Sequence, residues 1–185
     1  MIIAVKKEDE IAVGISICDC SADMSEKDLS LADNLPFWKV KGEKDCYVCT
    51  DDLTYATDLL RYNDYVFKGI SDGKSIIENV LPKMKDLLSK HNQLIKNKEW
   101  QNQLLIIKSG KIFRITNYFC VTEVDDYTAL AGESLALGVL DNMVDAKPKD
   151  SILTALRHIG RMRNRTFFPV TIFDYKTKKK KVYYQ

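Results

Sequence analysis

Two cysteine pairs stand out among the residues that could do chemistry: Cys18-x-Cys20 and Cys46-x-x-Cys49. A structural zinc site takes thiolates from tight turns, where two sulfurs converge on one tetrahedral ion. Cys46-Tyr-Val-Cys49 reads instead as a strand, and strand positions three apart point to opposite faces. The pair is therefore read as buried thiols behaving as small hydrophobes, and no metal is expected. A cysteine nucleophile would need a neighbouring base. His91 and His158 are the two histidines, and both fall on predicted helices far from the cysteines in sequence. The paired carboxylates have plainer explanations than acid/base work. Asp51 or Asp52 suits a helix cap, and Asp125-Asp126 suits a turn before a strand. The chain has no glycine-rich phosphate loop and no HExxH helix, and no cofactor is expected.

The basic residues cluster twice. Arg157, Arg161, Arg163 and Arg165 surround His158. No aromatic-basic platform accompanies them, so they read as a solvated helix face, and nucleic acid is not an expected partner. Lys176 to Lys181 falls at a predicted hairpin turn, where lysines keep an edge strand soluble. Lys83, Lys85, Lys90, Lys96 and Lys98 read as the polar face of an amphipathic helix and its exit.

These residues belong to a chain of 185, enough for one domain with a sizeable core. A formal net charge of +2 predicts neither nucleic acid nor membrane from bulk electrostatics. No apolar run reaches the 18 residues of a spanning helix. Met1 to Val5 is followed at once by Lys6-Lys7-Glu8-Asp9-Glu10, which is no export signal. Five cysteines are an odd count, which favours reduced thiols. A cytoplasmic location without membrane attachment is the expectation.

The elements that must position these groups follow from periodicity. Ile2 to Val5 and Ile11 to Ile17 form a hairpin across Glu8-Asp9-Glu10. Residues 19–35 read as loop. Phe37 to Val40 and Cys46 to Cys49 form a second hairpin, with Gly42 in the turn. A first helix carries Leu53, Ala56, Leu59 and Leu60 at helical spacing. A second spans Ser71 to Asn92, with Ile76, Ile77, Val80, Leu81, Met84, Leu87 and Leu88 on its apolar face. Pro82 within that face predicts a kink or a break. Leu104 to Ile107, Ile112 to Ile115, Phe119 to Val124 and Tyr127 to Ala131 read as strands of one continuing sheet. Helices follow at Glu133 to Met143 and Pro148 to Arg163, where Pro148 suits a first helical position and Asp150 the positive first turn. A last hairpin pairs Thr166 to Asp174 with Lys181 to Tyr184. Leu135, Val139 and Leu140, with Ile152, Leu156 and Ile159, are expected to face the sheets. Four helices in two pairs, with about ten strands between them, are best satisfied by two packed sheets with helices outside.

This order resembles the N-terminal-nucleophile hydrolase sandwich, and within it the proteasome-type subunits and their bacterial relatives. The resemblance covers nearly the whole chain. It is carried by Leu-Leu-Ile-Ile-Lys-Ser-Gly-Lys-Ile-Phe-Arg-Ile from Leu104 and by Thr-Ala-Leu-Ala-Gly-Glu-Ser-Leu-Ala-Leu-Gly-Val-Leu from Thr128 to Leu140. Ile2-Ile-Ala-Val-Lys at the start and Thr57-Asp-Leu-Leu-Arg61 in the first helix also match. It implies an α+β fold, a four-layer αββα sandwich formed by a single domain over residues 1–185. It also implies self-association, as a dimer or ring, through the outer helices. Tyr55, Tyr62, Tyr65 and Phe67 are the expected aromatic anchors.

The same resemblance implies chemistry that the residues do not supply. The family uses an N-terminal threonine as nucleophile and its α-amine as base. An aspartate and a lysine assist, a glycine amide holds the oxyanion, and a serine-containing glycine turn supports the amine. Here the nucleophile position falls one residue before Met1, or at Met1 with one gap. The aspartate position falls on Ser16. The lysine position falls near Pro36, with Lys39 as its neighbour. The oxyanion glycine falls near Thr50 or Asp51, and the serine turn becomes Leu130-Ala131-Gly132. Met1, Ser16, Lys39 and Ala131 are thus degenerate cleft positions, and no catalytic residue is assigned. The expectation is a pseudoenzyme with an assembly or ligand-binding role. The alternative is a divergent amide hydrolase, peptidase-like, with an internal nucleophile such as Ser16 or Cys20.

Overall fold

A computed structural model of the protein describes residues 1–16, 35–51, 54–95, 99–130, 133–143, 145–163 and 167–184. They divide into two compact units. The first joins the two ends of the chain, residues 1–35 and 125–185, and the second is residues 36–124.

The first unit is built on an antiparallel five-stranded sheet. In chain order its strands are β1 (Ile2–Lys7), β2 (Glu10–Ile15), β8 (Tyr127–Leu130), β9 (Val170–Asp174) and β10 (Lys179–Tyr183), in the spatial order β10-β9-β2-β1-β8. The β1–β2 hairpin forms as expected, with Ile2 opposite Ile15 and Lys7 opposite Glu10. Two helices belong to this unit, α4 (Glu133–Leu140) and α5 (Pro148–Arg163). Pro148 and Asp150 occupy the first turn of α5 as predicted. Ile152, Leu156 and Ile159 are fully buried and join Ile3, Val5, Val170 and Ile172 in one apolar cluster. On α4 the expectation is corrected in part. Leu140 is buried with Ala136, whereas Leu135 and Val139 are only partly covered. A short helix with small residues buries a narrow stripe, and here that stripe runs through positions 136 and 140.

The second unit carries β3 (Phe37–Lys39), β4 (Cys46–Thr50), β5 (Leu104–Lys108), β6 (Lys111–Ile115) and β7 (Val121–Val124), paired in that order. The β5–β6 turn places Ser109 and Gly110 at φ 50° and 75°. Two successive positive φ values match the right-handed twist of the strands they join. The chain changes sheets after β7. Tyr127 to Leu130 pairs with β1 and not with Val121 to Val124, so the expectation of one continuing sheet is corrected. The crossover is Asp125-Asp126, with the Lys6 amide donating to the Asp126 carbonyl.

The helices of this unit are α1 (Tyr55–Tyr62), a three-residue α2 (Gly73–Ser75) and α3 (Leu81–Lys90). Thr54 caps α1 by accepting from the Thr57 amide, in place of the expected Asp51 or Asp52. Asp51 serves elsewhere: its carboxylate accepts from the Gln103 amide at 3.0 Å. Asp52 and Leu53 lie outside the described residues. Between α2 and α3 the helix widens into a π turn over Ile76–Val80, where the Leu81 amide donates to the Ile76 carbonyl five residues back. Pro82 follows directly. It lacks an N–H, and its ring would crowd the carbonyl four residues earlier. The helix therefore widens instead of breaking. The extra residue per turn puts Ile76 under Leu81 and leaves Ile77 55% exposed, contrary to its expected place on the apolar face.

Candidate functional site

The register of β1 and β2 sets the geometry at the head of β1. Ile2 faces Ile15, so Met1 faces Ser16. The Met1 α-amine donates to the Ser16 carbonyl at 2.8 Å, and the Ser16 amide donates to the Met1 carbonyl at 3.0 Å. The two residues extend the ladder by one reciprocal pair. The α-amine is thereby engaged by a backbone acceptor. The Met1 side chain is partly buried against the apolar cluster beneath α4 and α5. On the other side of β1, Leu130 pairs with Ile2, which brings the end of β8 beside the same position. Ala131 and Gly132, which follow, lie outside the described residues.

Ser16 is 3% exposed, and among the described residues its Oγ has no hydrogen-bond partner. A serine hydroxyl attacks a carbonyl only when a base is placed to take its proton. Among the described residues no base is hydrogen-bonded to this one. Methionine offers a thioether with no proton to lose. The Met1–Ser16 pair thus sets a thioether and a serine hydroxyl side by side at the head of β1.

The remaining predicted positions belong to the second unit. Lys39 ends β3 and is exposed. Pro36 is buried, and its carbonyl accepts from the Thr50 amide at 2.9 Å. The Asp51 amide donates to the Gln103 carbonyl at 3.2 Å. An oxyanion hole needs backbone N–H groups turned toward empty space, and both of these amides already serve the sheet.

A feature not anticipated from the sequence holds this region together. Thr50 Oγ1 and Thr57 Oγ1 lie 3.1 Å apart, and Asn102 Nδ2 donates to Thr54 Oγ1 at 2.7 Å and to Thr57 Oγ1 at 3.2 Å. Thr50, Thr57 and Asn102 are all buried. The network ties the start of α1 to the end of β4, and its hydroxyls are satisfied, as buried polar groups must be. Thr50, Thr54 and Thr57 are close in sequence, but Asn102 comes from 45 residues or more away, and no spacing rule links it to them.

The cysteines behave as inert core residues. Cys46 joins Val40 and Val48 in the apolar cluster beneath α1 and α3, and Cys49 sits on the opposite side of β4, as the strand alternation requires. Burial pushes both thiols up to about 12. Cys120 is exposed, and Cys18 and Cys20 lie outside the described residues. His91 Nδ1 lies 3.1 Å from the Tyr55 hydroxyl, and His158 is exposed on α5.

No family model and no curated protein matches the sequence. Solved structures do match its fold. Thiobacillus denitrificans BPH in complex with epoxomicin superposes with a TM-score of 0.71 at 19% identity, over 94% of this chain and 96% of that one. Anbu, an ancestral beta-subunit, from Yersinia bercovieri gives 0.68 at 9% identity, over 100% and 87%. Eukaryotic HslV from Trypanosoma brucei gives 0.63 at 10% identity, over 94% and 97%. These define the class: the chain has the α+β fold of the proteasome-like N-terminal-nucleophile hydrolases. Identities this low establish the fold and leave the activity to be argued from the chain's own residues.

Proposed function

We propose that this chain is a catalytically inactive member of the proteasome-like group, a cytoplasmic protein with an assembly or ligand-binding role. In this reading residues 1–185 form one domain with a four-layer αββα arrangement. Met1, Ser16, Lys39 and Ala131 are the degenerate counterparts of catalytic and supporting positions. The carrying observation is the Met1–Ser16 pair: a thioether stands at the head of β1 where this reading needs a hydroxyl, beside a serine with no hydrogen-bonded base among the described residues. The engaged amides of Thr50 and Asp51 support the same reading. Among the described residues no helix is long and apolar enough to cross a membrane.

Self-association rests on exposed aromatics of the second unit. Tyr55, Tyr62 and Tyr65 are 58%, 85% and 52% exposed. Phe67, expected beside them, is fully buried and is withdrawn as an anchor.

The test is a turnover assay with fluorogenic peptides, paired with intact mass after incubation with epoxomicin, the compound bound by BPH. The expected result is background hydrolysis and no adduct. Hydrolysis abolished by Ser16→Ala or Cys20→Ala, or an epoxomicin adduct on this chain, would overturn the reading and restore the hydrolase alternative.

A further inference from the structure

Beside the first turn of α5, the edge of the first unit's sheet forms an open-mouthed cavity of about 460 Å³. Its walls follow from strand register. Lys179, Lys181 and Tyr183 pair with Asp174, Ile172 and Val170. Ile172 and Val170 belong to the cluster beneath α4 and α5, so the alternation of β10 turns Lys179, Lys181 and Tyr183 to that same side. Lys147 and Lys149 flank Pro148 at the start of α5, and Lys176 and Lys180 complete the lining. Six lysines line this cavity, with Glu10 and Asp174 as its carboxylates, although Lys180 alternates to the other side of β10 and Lys149 Nζ also pairs with Asp150 Oδ1 at 3.6 Å. Asp174 already accepts from the Thr177 amide at 2.9 Å. The ammonium groups of Lys149 and Lys181 lie 5.9 and 5.3 Å from the centre of the Tyr183 ring.

A soluble edge strand needs lysines spread into water. It does not need them gathered with helix-borne lysines around an apolar floor. Like charges brought together repel, and a multivalent anion relieves that repulsion. The first turn of α5 adds its partial positive charge on the same side. The volume lies within the range of small-molecule sites, roughly 300–1,000 Å³. Ile11, Ile172 and the Tyr183 ring offer a surface for a flat apolar group. We propose that this cavity binds a small phosphorylated ligand of nucleotide size. Its phosphates would meet Lys147, Lys149 and Lys181, and its planar part would lie against Tyr183. The proposal is independent of the Met1–Ser16 pair and does not require catalysis.

Calorimetric titration with ADP and with inorganic pyrophosphate, near physiological salt, tests it. Both are expected to bind, with ADP at or below about 100 µM, a typical small-ligand affinity. Lys149→Glu with Lys181→Glu should weaken both at least tenfold. Lys44→Glu with Lys83→Glu makes the same charge change at exposed sites of the other unit and should alter affinity less than twofold. Tyr183→Ala should weaken ADP severalfold and leave pyrophosphate unchanged. Thermal unfolding of each variant confirms that it is folded before it is titrated. Absence of binding at millimolar ligand would overturn the proposal, as would equal weakening by the two lysine pairs. Tighter binding of poly-glutamate than of ADP would also overturn it, by assigning the lysines to an acidic chain.

Discussion

Gly14 lies directly beneath Ile152: a Cβ added to Gly14 would sit 2.3 Å from Ile152 Cγ2. That is well inside any real contact distance, and Ile152 is fully buried, so the side chain has little room to yield. The close approach seats α5 on β2.

Gly14→Ala is therefore expected to destabilise the chain by about 1–3 kcal/mol, the usual cost of overpacking. Ile152→Ala removes the clashing methyl and by itself should cost about 2–5 kcal/mol. The double variant should be more stable than the sum of the two by at least about 0.5 kcal/mol, because the residues touch. Urea denaturation measures all three. Strict additivity, or a stabilising Gly14→Ala, would mean that the helix is not seated on the glycine.

A partly buried ion pair sets an acid limit. Lys108 Nζ reaches Glu43 Oε2 at 2.7 Å, and the Gly69 amide donates to Glu43 Oε1 at 3.0 Å. The side chains are 12% and 19% exposed. The Lys108 hydrogen bond, then the Gly69 amide, hold the Glu43 carboxyl below its usual value of 4.5. A carboxyl that is more acidic when folded stabilises fully above its unfolded value. That contribution is lost as pH falls from about 4.5 through the lower folded value. Glu43→Gln should cost about 1–3 kcal/mol at pH 7 and give a shallower loss of stability below pH 4.5. An acid limb unchanged by the substitution would reject the assignment.

Thiol reactivity should sort by burial. With Cys18 and Cys20 replaced by serine, the native chain should present Cys120 to a disulfide reagent at pH 8 and conceal Cys46 and Cys49. Thiols raised to about 12 are ionised to roughly one part in ten thousand at that pH. Denaturation should release both. Rapid native labelling of Cys46 or Cys49 would show that β4 is not buried as described.

The aromatic anchors are tested by sedimentation. Tyr55 and Tyr62 lie seven residues apart and so share one face of α1. We expect a species larger than the 21.2 kDa chain, broken down by Tyr55→Glu with Tyr62→Glu while helical circular dichroism survives. A 21.2 kDa species persisting across micromolar concentrations would reject assembly through this face.

Much of the local structure was legible in the sequence. Ser109-Gly110 marked the β5–β6 turn because few residue pairs tolerate two positive φ values. Pro148 and Asp150 marked the start of α5 because a helix's first turn has no use for proline's missing N–H and favours negative charge. The hairpin of Ile2 to Val5 with Ile11 to Ile17 was legible because apolar runs flank the polar Glu8-Asp9-Glu10 turn, while the register that puts Met1 opposite Ser16 came from the structure. That position 1 is a methionine and position 16 a serine is a property of the sequence.

Tertiary packing decided what depends on distant partners. β8 leaves the strand before it to pair with β1, some 125 residues away, and no local pattern tells a strand which edge it will join. The π turn before Pro82 moved Ile76 under Leu81 and exposed Ile77, because one extra residue in a turn shifts every earlier position on the face. Phe67 is buried although its neighbours Tyr62 and Tyr65 are exposed, since the three-ten turn at Asp64–Phe67 redirects the chain after α1. Lys147 and Lys149 share a cavity with Lys179 and Lys181 because α5 begins beside the β10 edge. In sequence only Lys176 to Lys181 reads as a basic run, and nothing there ties Lys147 and Lys149 to it. Periodicity reports which face of an element is buried, and which residues share a cavity is settled where the elements meet.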